Sequence, residues 1–259
     1  MTARTDTYFL SDLHLGARYA GDIHAAERRV CRFLDAISPT ARRIFLVGDV
    51  LDYWYEYRCV VPRGFVRFFG KLAELSDSGV EITWLIGNHD IWIFDYLPRE
   101  LGIRVVDGAL VTEIDGRKFF ISHGDAQDDS SRSFRLMRSL FRNRFCQRLY
   151  AAIHPRWTIP FALGWSRRSR AADSQDSAPK PDRLVAFARS YLRDHPDIPY
   201  FIFGHLHILE DIPVPPSSRV IILGDWLTRF SYARYDGHSL SLHTYHDSDD
   251  DRAYFKYLK

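Results

Sequence analysis

Residues 43–54, RIFLVGDVLDYW, contain the pattern that decides the fold. Their first part, Arg43 to Val47, is a short run of mainly β-forming apolar residues, and it stops at Gly48-Asp49. A run that ends in a polar, glycine-containing segment is typical of a buried strand. The same pattern occurs at Tyr8 to Leu10, Glu81 to Ile86 and Tyr200 to Phe203. The sequence therefore predicts several buried strands with polar residues at their ends.

Helical and hairpin patterns lie between and after these strands. Ile23 to Ile37 and Phe65 to Leu75 carry apolar residues at helical spacing, so strand and helix alternate in the first third of the chain. Asp-Gly pairs favour type I′ hairpin turns. Such turns are predicted at Asp115-Gly116, between Ala109 to Ile114 and Arg117 to Ile121, and at Asp236-Gly237, between Phe230 to Tyr235 and His238 to Tyr245; Arg219 to Leu223 is a further predicted strand. The predicted fold class is α/β, with two packed mixed β-sheets flanked by helices.

The composition is that of an ordinary globular protein. The chain has 259 residues, a formal net charge of +2 and 46% hydrophobic residues. We predict a single domain over residues 1–259. No signal-peptide pattern and no apolar run of about 20 residues is visible. Because three scattered cysteines (Cys31, Cys59 and Cys146) lack the pairing of a zinc or redox motif, we expect reduced thiols and a cytoplasmic protein.

Residues 130–180 form a predicted helical insertion. Arginine and aromatic residues recur at helical spacing from Ser130 to about Arg170, and a Ser-, Ala- and Asp-rich loop is predicted from Ala171 to Lys180. On one helical wheel the apolar residues share a face that also carries Arg138 and Arg148; these apolar residues are Phe134, Met137, Phe141, Phe145 and Leu149, and Trp157, Phe161 and Trp165 extend the surface. Such a surface suits an acyl chain beside a diphosphate, or an anionic bilayer. The alternative is that these arginines form ion pairs or extend past a core stripe.

Five short segments after predicted strands carry metal-ligand side chains. They supply Asp12 and His14, Asp49, Asn88, His123, and His205 with His207. Strand ends are where open α/β sheets bind ligands. Any one of these residues is more often a cap or a loop residue, but capping requires neither Asp-x-His nor His-x-His. Seven carboxylate, amide and imidazole ligands without a thiolate predict two divalent ions, Mn²⁺ or else Fe or Zn²⁺, with Asp49 as the bridge.

These segments resemble the motif set of the calcineurin-like metallophosphoesterases. The motifs D-x-H, G-D-x-x-D, G-N-H-D, H-G-D and G-H-x-H occur here in order between Ser11 and His207. The resemblance implies a double-sheet sandwich with helices outside. It also implies one metal held by Asp12, His14, Asp49 and His207, and a second held by Asp49, Asn88, His123 and His205.

The same resemblance implies how the site acts. A metal-bound hydroxide attacks phosphorus in line, and His89 faces the phosphate as the catalytic residue that stabilises charge or protonates the leaving oxygen. The substrate-binding residues are then Asn88, His89 and His205. Asp52 and Asp90 are expected to orient the metal ligands.

Within that superfamily the chain is similar to the UDP-2,3-diacylglucosamine diphosphatases. The resembling segments are Phe9 to Leu15, Gly48 to Trp54, and His123 to Asp129 with the basic insertion that follows. The resemblance implies cleavage of an acylated nucleotide sugar to UMP and lipid X, at the cytoplasmic face of the inner membrane. The chain departs from the group at His89, where arginine is frequent, and at Leu206, where threonine is frequent.

Two other functions are compatible with the pattern. One is a phosphodiesterase or phosphatase for a soluble nucleotide or a nucleic acid, although the small net charge argues against nucleic acid. The other is a non-catalytic scaffold, which the full set of ligands argues against. The acidic run Asp247 to Asp251 is predicted to be a solvated turn.

Overall fold

The computed structural model describes residues 4–128, 132–173 and 180–247, without the side chains of 132–135 and 165–173. Its first sheet has six strands in the order β11-β10-β1-β2-β3-β4. Strands β1 to β4 are parallel, whereas β10 is antiparallel to both β1 and β11. The strand bounds are β1 Asp6–Leu10, β2 Ala41–Val47, β3 Glu81–Leu85, β4 Arg104–Val106, β10 Ser231–Tyr235 and β11 Leu240–Thr244.

The second sheet has five strands in the order β5-β6-β7-β9-β8. Its three central strands are parallel, and the edge strands β5 and β8 are antiparallel to their neighbours. The bounds are β5 Leu110–Ile114, β6 Arg117–Ser122, β7 Tyr200–Phe203, β8 Leu209–Val214 and β9 Ser218–Leu223. Both sheets are therefore mixed, as predicted.

Successive side chains along each strand point to opposite faces of its sheet, and this alternation gives three apolar layers. Phe9 and Phe45 of the first sheet meet Phe119 and Ile202 of the second in a cluster between the sheets. The residues of the first sheet that point away from the second sheet face helices α1 (Ile23–Ile37) and α2 (Val66–Asp77). On the far side, α8 covers the second sheet. The order helix, sheet, sheet, helix confirms the predicted class, and the helix bounds are α1 Ile23–Ile37, α2 Val66–Asp77, α3 Tyr96–Leu101, α4 Asp125–Asp128 and α8 Asp182–Tyr191.

The two predicted hairpins form, but only one has the predicted turn. Asp115 and Gly116 both have positive φ (49° and 78°), as a type I′ turn requires. In the second hairpin Tyr235 pairs with Leu240, which leaves a four-residue loop. Its conformation comes from Asp236, whose carboxylate accepts hydrogen bonds from the backbone N–H groups of His238 and Ser239. The type I′ prediction at Asp236-Gly237 was therefore wrong.

Residues 132–173, the described part of the predicted insertion, form three helices, α5 Arg132–Arg142, α6 Arg144–Ala152 and α7 Pro155–Asp173. Asn143 separates the first two, because its side chain caps the start of α6 at the N–H groups of Phe145 and Cys146. The single helical face drawn from Phe134 to Leu149 was therefore wrong. The predicted loop also begins later, since α7 continues to Asp173.

The two halves of that predicted face have different surroundings. Phe141 packs against the first core cluster, whereas Phe145 and Leu149 are exposed (68% and 55%). Arg138 lies 3.3 Å from Asp125 in an ion pair, which agrees with the alternative interpretation for that residue. The side chains of Phe134 and Trp165, and residues 174–179 of the predicted loop, lie outside the described parts.

The acidic stretch near the C-terminus differs from the prediction at its first residue. Asp247 is buried and accepts a hydrogen bond from Arg32 Nε at 2.6 Å, so it is not part of a solvated turn. Residues 248–251 lie outside the described segments. Among the helices described, none is long and apolar enough to cross a membrane.

Candidate metal centre

The predicted ligands lie at the carboxyl ends of β1, β2, β3, β6 and β7, where the two sheets meet. Their backbone is unusual. Eight non-glycine residues in the described segments have positive φ, and five of them are predicted ligands: Asp12, His14, Asp49, His205 and His207. Left-handed backbone in a residue with a side chain is costly and persists where the surroundings enforce it, often at functional sites.

Two glycines allow these loops to approach each other. A Cβ on Gly204 would lie 1.8 Å from Ser11 Oγ and 2.6 Å from Asp12 Oδ2. A Cβ on Gly87 would lie 2.2 Å from Asp49 Oδ1 and 2.4 Å from the Asp49 backbone nitrogen. A side chain at either position would displace a carboxylate, so glycine is required by close packing.

Asp12, His14 and His207 form the first group of converging donors. Asp12 Oδ1 lies 3.2 Å from His207 Nε2 and 3.6 Å from His14 Nε2, and these two nitrogens are 3.2 Å apart. Asp12 Oδ2 accepts hydrogen bonds from Ser11 Oγ and His205 N, whereas the buried Oδ1 has no hydrogen-bond partner in the described part of the chain. A buried carboxylate oxygen that faces two imidazole nitrogens fits a cation.

Asp49, Asn88 and His123 form the second group. His123 Nδ1 donates to the carbonyl oxygen of Val47 at 3.0 Å, which directs Nε2 toward Asn88 Oδ1 at 3.1 Å and Asp49 Oδ2 at 3.4 Å. In the neutral ring Nε2 is then an acceptor facing two other acceptors. A cation between these three atoms would remove the repulsion, so this group also fits a metal ion.

The pKa shifts show how strongly the groups attract positive charge. Burial disfavours the His123 imidazolium, but the carboxylates led by Asp49 outweigh burial and hold the pKa of His123 well above its usual value. Burial acts against ionisation of Asp49 too, yet the imidazoles of His123, His89 and His14 hold its pKa below the usual range. Both shifts have one cause, which is that the carboxylates and imidazoles of the cluster stabilise one another's charged forms.

His205 lies at the edge of this arrangement. Its ring stands edge-on to His123 at 5.2 Å between centroids, and its Nε2 is 3.9 Å from Asp128 Oδ2. Burial and the positive charge of His123 lower the pKa of His205, which keeps an unprotonated nitrogen available. The structure therefore brings six of the seven predicted ligands into close contact and places His205 beside them.

His89 lies over the first group. Its backbone N–H donates to Asp49 Oδ1 at 2.8 Å, and its Nδ1 is 3.1 Å from the carbonyl oxygen of Asp52. Nδ1 therefore carries the donated proton, while Nε2 lies 3.9 Å from Asp49 Oδ2 and the ring stands edge-on to His14. Its side chain is 17% exposed, so part of the ring faces solvent beside the cluster.

Asp90 and Asp52 contact the loops that carry the predicted ligands and hold them in position. Asp90 is fully buried and accepts hydrogen bonds from Val50 N, Gly87 N and Trp84 Nε1, which ties the loops after β2 and β3 together. Burial and then the charge of Asp49 raise the pKa of Asp90 to about 6. Asp52 Oδ1 lies 3.7 Å from His14 Nδ1, as expected for a carboxylate that orients a ligand.

Sequence reasoning missed one acidic residue of this kind, Asp225. Its Oδ2 lies 3.8 Å from His207 Nδ1, and its Oδ1 accepts the backbone N–H groups of Leu227 and Thr228. The signal was present, because Gly224-Asp225 follows the strand Ser218–Leu223 just as Gly48-Asp49 follows β2. Both histidines of the first group thus have a carboxylate near Nδ1.

Comparisons of the sequence with known proteins point to one family. The family model of the calcineurin-like phosphoesterases matches residues 7–209. A Porphyromonas gingivalis protein named UDP-2,3-diacylglucosamine hydrolase is 43% identical over 95% of this chain and 100% of its own length. A Neisseria meningitidis protein of the same name is 28% identical over 89% of this chain and 94% of its own.

Similarity to solved structures is more distant. The phosphoesterase YfcE from E. coli aligns with 92% of each chain at 15% identity and a TM-score of 0.45. The family match covers every loop that carries a predicted ligand, from Asp12 to His207. The chain belongs to the calcineurin-like phosphoesterase family.

Proposed function

We propose that this protein hydrolyses the diphosphate of UDP-2,3-diacylglucosamine to UMP and the acylated sugar 1-phosphate, lipid X. The observation that carries the proposal is the 43% identity to the Porphyromonas gingivalis protein of that name, which this chain matches over the whole of that protein's length. In the reaction, the oxygen of water bonds to one phosphorus, the P–O–P bridge breaks, and the leaving phosphate takes up a proton.

The proposal includes two divalent ions. Asp12, His14, Asp49 and His207 would hold one, and Asp49, Asn88, His123 and His205 would hold the other. Asp49 Oδ2 suits the bridge, because it lies 3.8 Å from His14 Nε2 and 3.4 Å from His123 Nε2 and so faces both groups. Oxygen and nitrogen donors favour Mn²⁺, with Fe or Zn²⁺ as alternatives. When bound, such ions activate water and neutralise phosphoryl oxygens.

The protein's own groups would position the substrate and move a proton. The Asp52 carbonyl fixes the tautomer of His89, since Nδ1 donates to it. When His89 is protonated, Nε2 would donate to a phosphoryl oxygen or give its proton to the leaving oxygen. Asn88 and His205 would contact the phosphate from the second group. In this proposal His89 is the catalytic residue, and Asn88, His89 and His205 bind substrate.

We further propose that the enzyme works in the cytoplasm, in peripheral contact with the cytoplasmic face of the inner membrane. The insertion exposes large apolar side chains, among them Phe145 (68%), Trp157 (69%) and Phe161 (66%). Exposed aromatic side chains on helices suit an acylated substrate and the lipid surface that contains it. With a net charge of only +2, nucleic acid is not expected as a partner.

The test is Mn²⁺-dependent release of UMP from UDP-2,3-diacylglucosamine in detergent micelles. His123→Ala is expected to abolish release, because it removes a ligand of the second group. His238→Ala is the matched control, since His238 is exposed in the β10–β11 loop, and it should retain wild-type activity. Hydrolysis of bis(4-nitrophenyl) phosphate without release of UMP would keep the phosphoesterase and reject the substrate.

A further inference from the structure

A cavity opens beside the first group of donors. Its walls are formed by the loop between β1 and α1, by the start of α1, by the loop before α2, and by α7. The lining residues include Arg18, Ile23, Glu27, Arg63, Phe65 and Leu163. Asp52 lines the cavity as well and lies 3.7 Å from His14 Nδ1. A ligand in the cavity would therefore lie next to a phosphate bound at the candidate metal centre.

The lining combines apolar surface with charge. Ile23, Phe65 and Leu163 supply apolar area, whereas Arg18 and Arg63 are exposed and make no ion pair with any residue in the described segments. Glu27 is buried, and its Oε1 accepts hydrogen bonds from the N–H groups at the start of α2. An acyl chain here would strip water from these charges without replacing its hydrogen bonds. A flat ring with polar edges would satisfy both kinds of surface.

The aromatic wall is held by an unusual backbone. Phe65 has a φ of 62° and follows Gly64 at 116°. Its ring packs so closely on Gly16 that a Cβ there would lie 2.9 Å from Phe65 Cζ. Trp54 supports the same ring at 6.2 Å between centroids. Phe65 precedes α2, and its left-handed backbone fixes the ring as a wall of the cavity.

We propose that this cavity binds the pyrimidine nucleoside part of the substrate, with the base against Phe65 and with Arg18 and Arg63 donating to oxygens of the nucleoside. The identity of the base as uracil rests on the proposed function. The nucleoside then occupies the side of the centre next to His14.

The test uses UMP and inorganic phosphate as inhibitors of bis(4-nitrophenyl) phosphate hydrolysis. The ratio of their inhibition constants within one variant isolates the contribution of the nucleoside. Arg18→Ala and Arg63→Ala are each expected to weaken UMP relative to phosphate by about tenfold, the loss for one charge-assisted hydrogen bond. Arg189→Ala is the matched control, because Arg189 is an exposed arginine on α8, and its ratio should not change.

The outcomes separate this proposal from the proposed function. An unchanged ratio in both cavity variants would overturn the nucleoside site. A raised KM for UDP-2,3-diacylglucosamine with an unchanged ratio would assign the cavity to the acylated sugar, which also overturns it. If the wild type released no UMP from the lipid substrate, the proposed function would fail, yet a tenfold loss of UMP inhibition would still support the nucleoside site.

Discussion

Replacing Gly87 by alanine should damage the metal centre through a single added carbon. That carbon would lie 2.2 Å from Asp49 Oδ1 and 2.4 Å from the Asp49 backbone nitrogen, whereas ordinary contacts begin at 3.4 Å. Asp49 would therefore have to move by about 1 Å. Overpacking of this kind costs about 1–3 kcal/mol of stability. A displacement of about 1 Å at a reacting centre lowers the rate by about 10²-fold.

The assay compares kcat/KM for bis(4-nitrophenyl) phosphate, bound Mn²⁺ and the thermal midpoint of unfolding. Gly70→Ala is the control, because Gly70 is exposed inside α2 and an added Cβ there meets nothing within 4 Å. That variant should gain about 0.5–1 kcal/mol from the lower entropy of its unfolded chain and keep its activity. A Gly87→Ala protein with wild-type kcat/KM and full metal content would refute the role assigned to Asp49.

Three further predictions address charge. Asp225→Asn keeps an oxygen for the turn but removes the charge 3.8 Å from His207 Nδ1, so Mn²⁺ affinity measured by calorimetry should fall about tenfold; an unchanged Kd would contradict this role. In metal-free protein the pKa of Asp90 is raised to about 6 from an ordinary 3.8, so its stabilising contribution is complete below pH 3.8 and is lost as pH rises through 6. When Asp90→Asn is unfolded with urea in EDTA, its free energy of unfolding should decline less between pH 3.8 and 6 than that of the wild type. An identical pH profile in the two proteins would argue against this prediction. Burial, together with the charges of Glu27 and Asp35, raises the pKa of the Cys31 thiol to about 11. At pH 8 iodoacetamide should therefore label Cys31 more slowly than the exposed Cys59, as measured by mass spectrometry. Equal labelling rates would exclude the shift.

The strands and the ligand loops could be predicted from the sequence because two local signals coincide there. Each apolar run specifies a buried strand, and each ends at a polar segment such as Gly48-Asp49. Parallel strands bring their carboxyl ends to one edge, which places the loops after β1 and β2 side by side. Packing of the second sheet against the first then brings His207 Nε2 to 3.2 Å from Asp12 Oδ1. The convergence within each sheet therefore follows from topology, whereas the meeting of the two sets depends on how the sheets pack.

The insertion could not be predicted in the same detail, because a helical wheel assumes an unbroken helix. Asn143 fits the 3.6-residue period, yet its carboxamide bonds to the N–H groups of Phe145 and Cys146 and starts a new helix. The wheel also ignores distant partners. Arg142 pairs with Asp107, and the indole of Trp92 donates to the Phe141 carbonyl at 2.9 Å. These tertiary contacts determine which side of α5 faces the core.

Two arginines of α5 form ion pairs, which limits the positive charge that this helix can offer to a substrate. Arg138 lies against Asp125, and Arg142 against Asp107, so neither is available without breaking an ion pair. The ring of His89 is held through Nδ1 by the Asp52 carbonyl at 3.1 Å. An imidazole held in this way reaches less far than a guanidinium would. Under the proposed function, cationic contact beyond the phosphate would come from other residues, and Arg18 and Arg63 line the adjoining cavity. In the proposed nucleoside site, Arg18 and Arg63 thus supply the cationic contact that the paired arginines of α5 cannot.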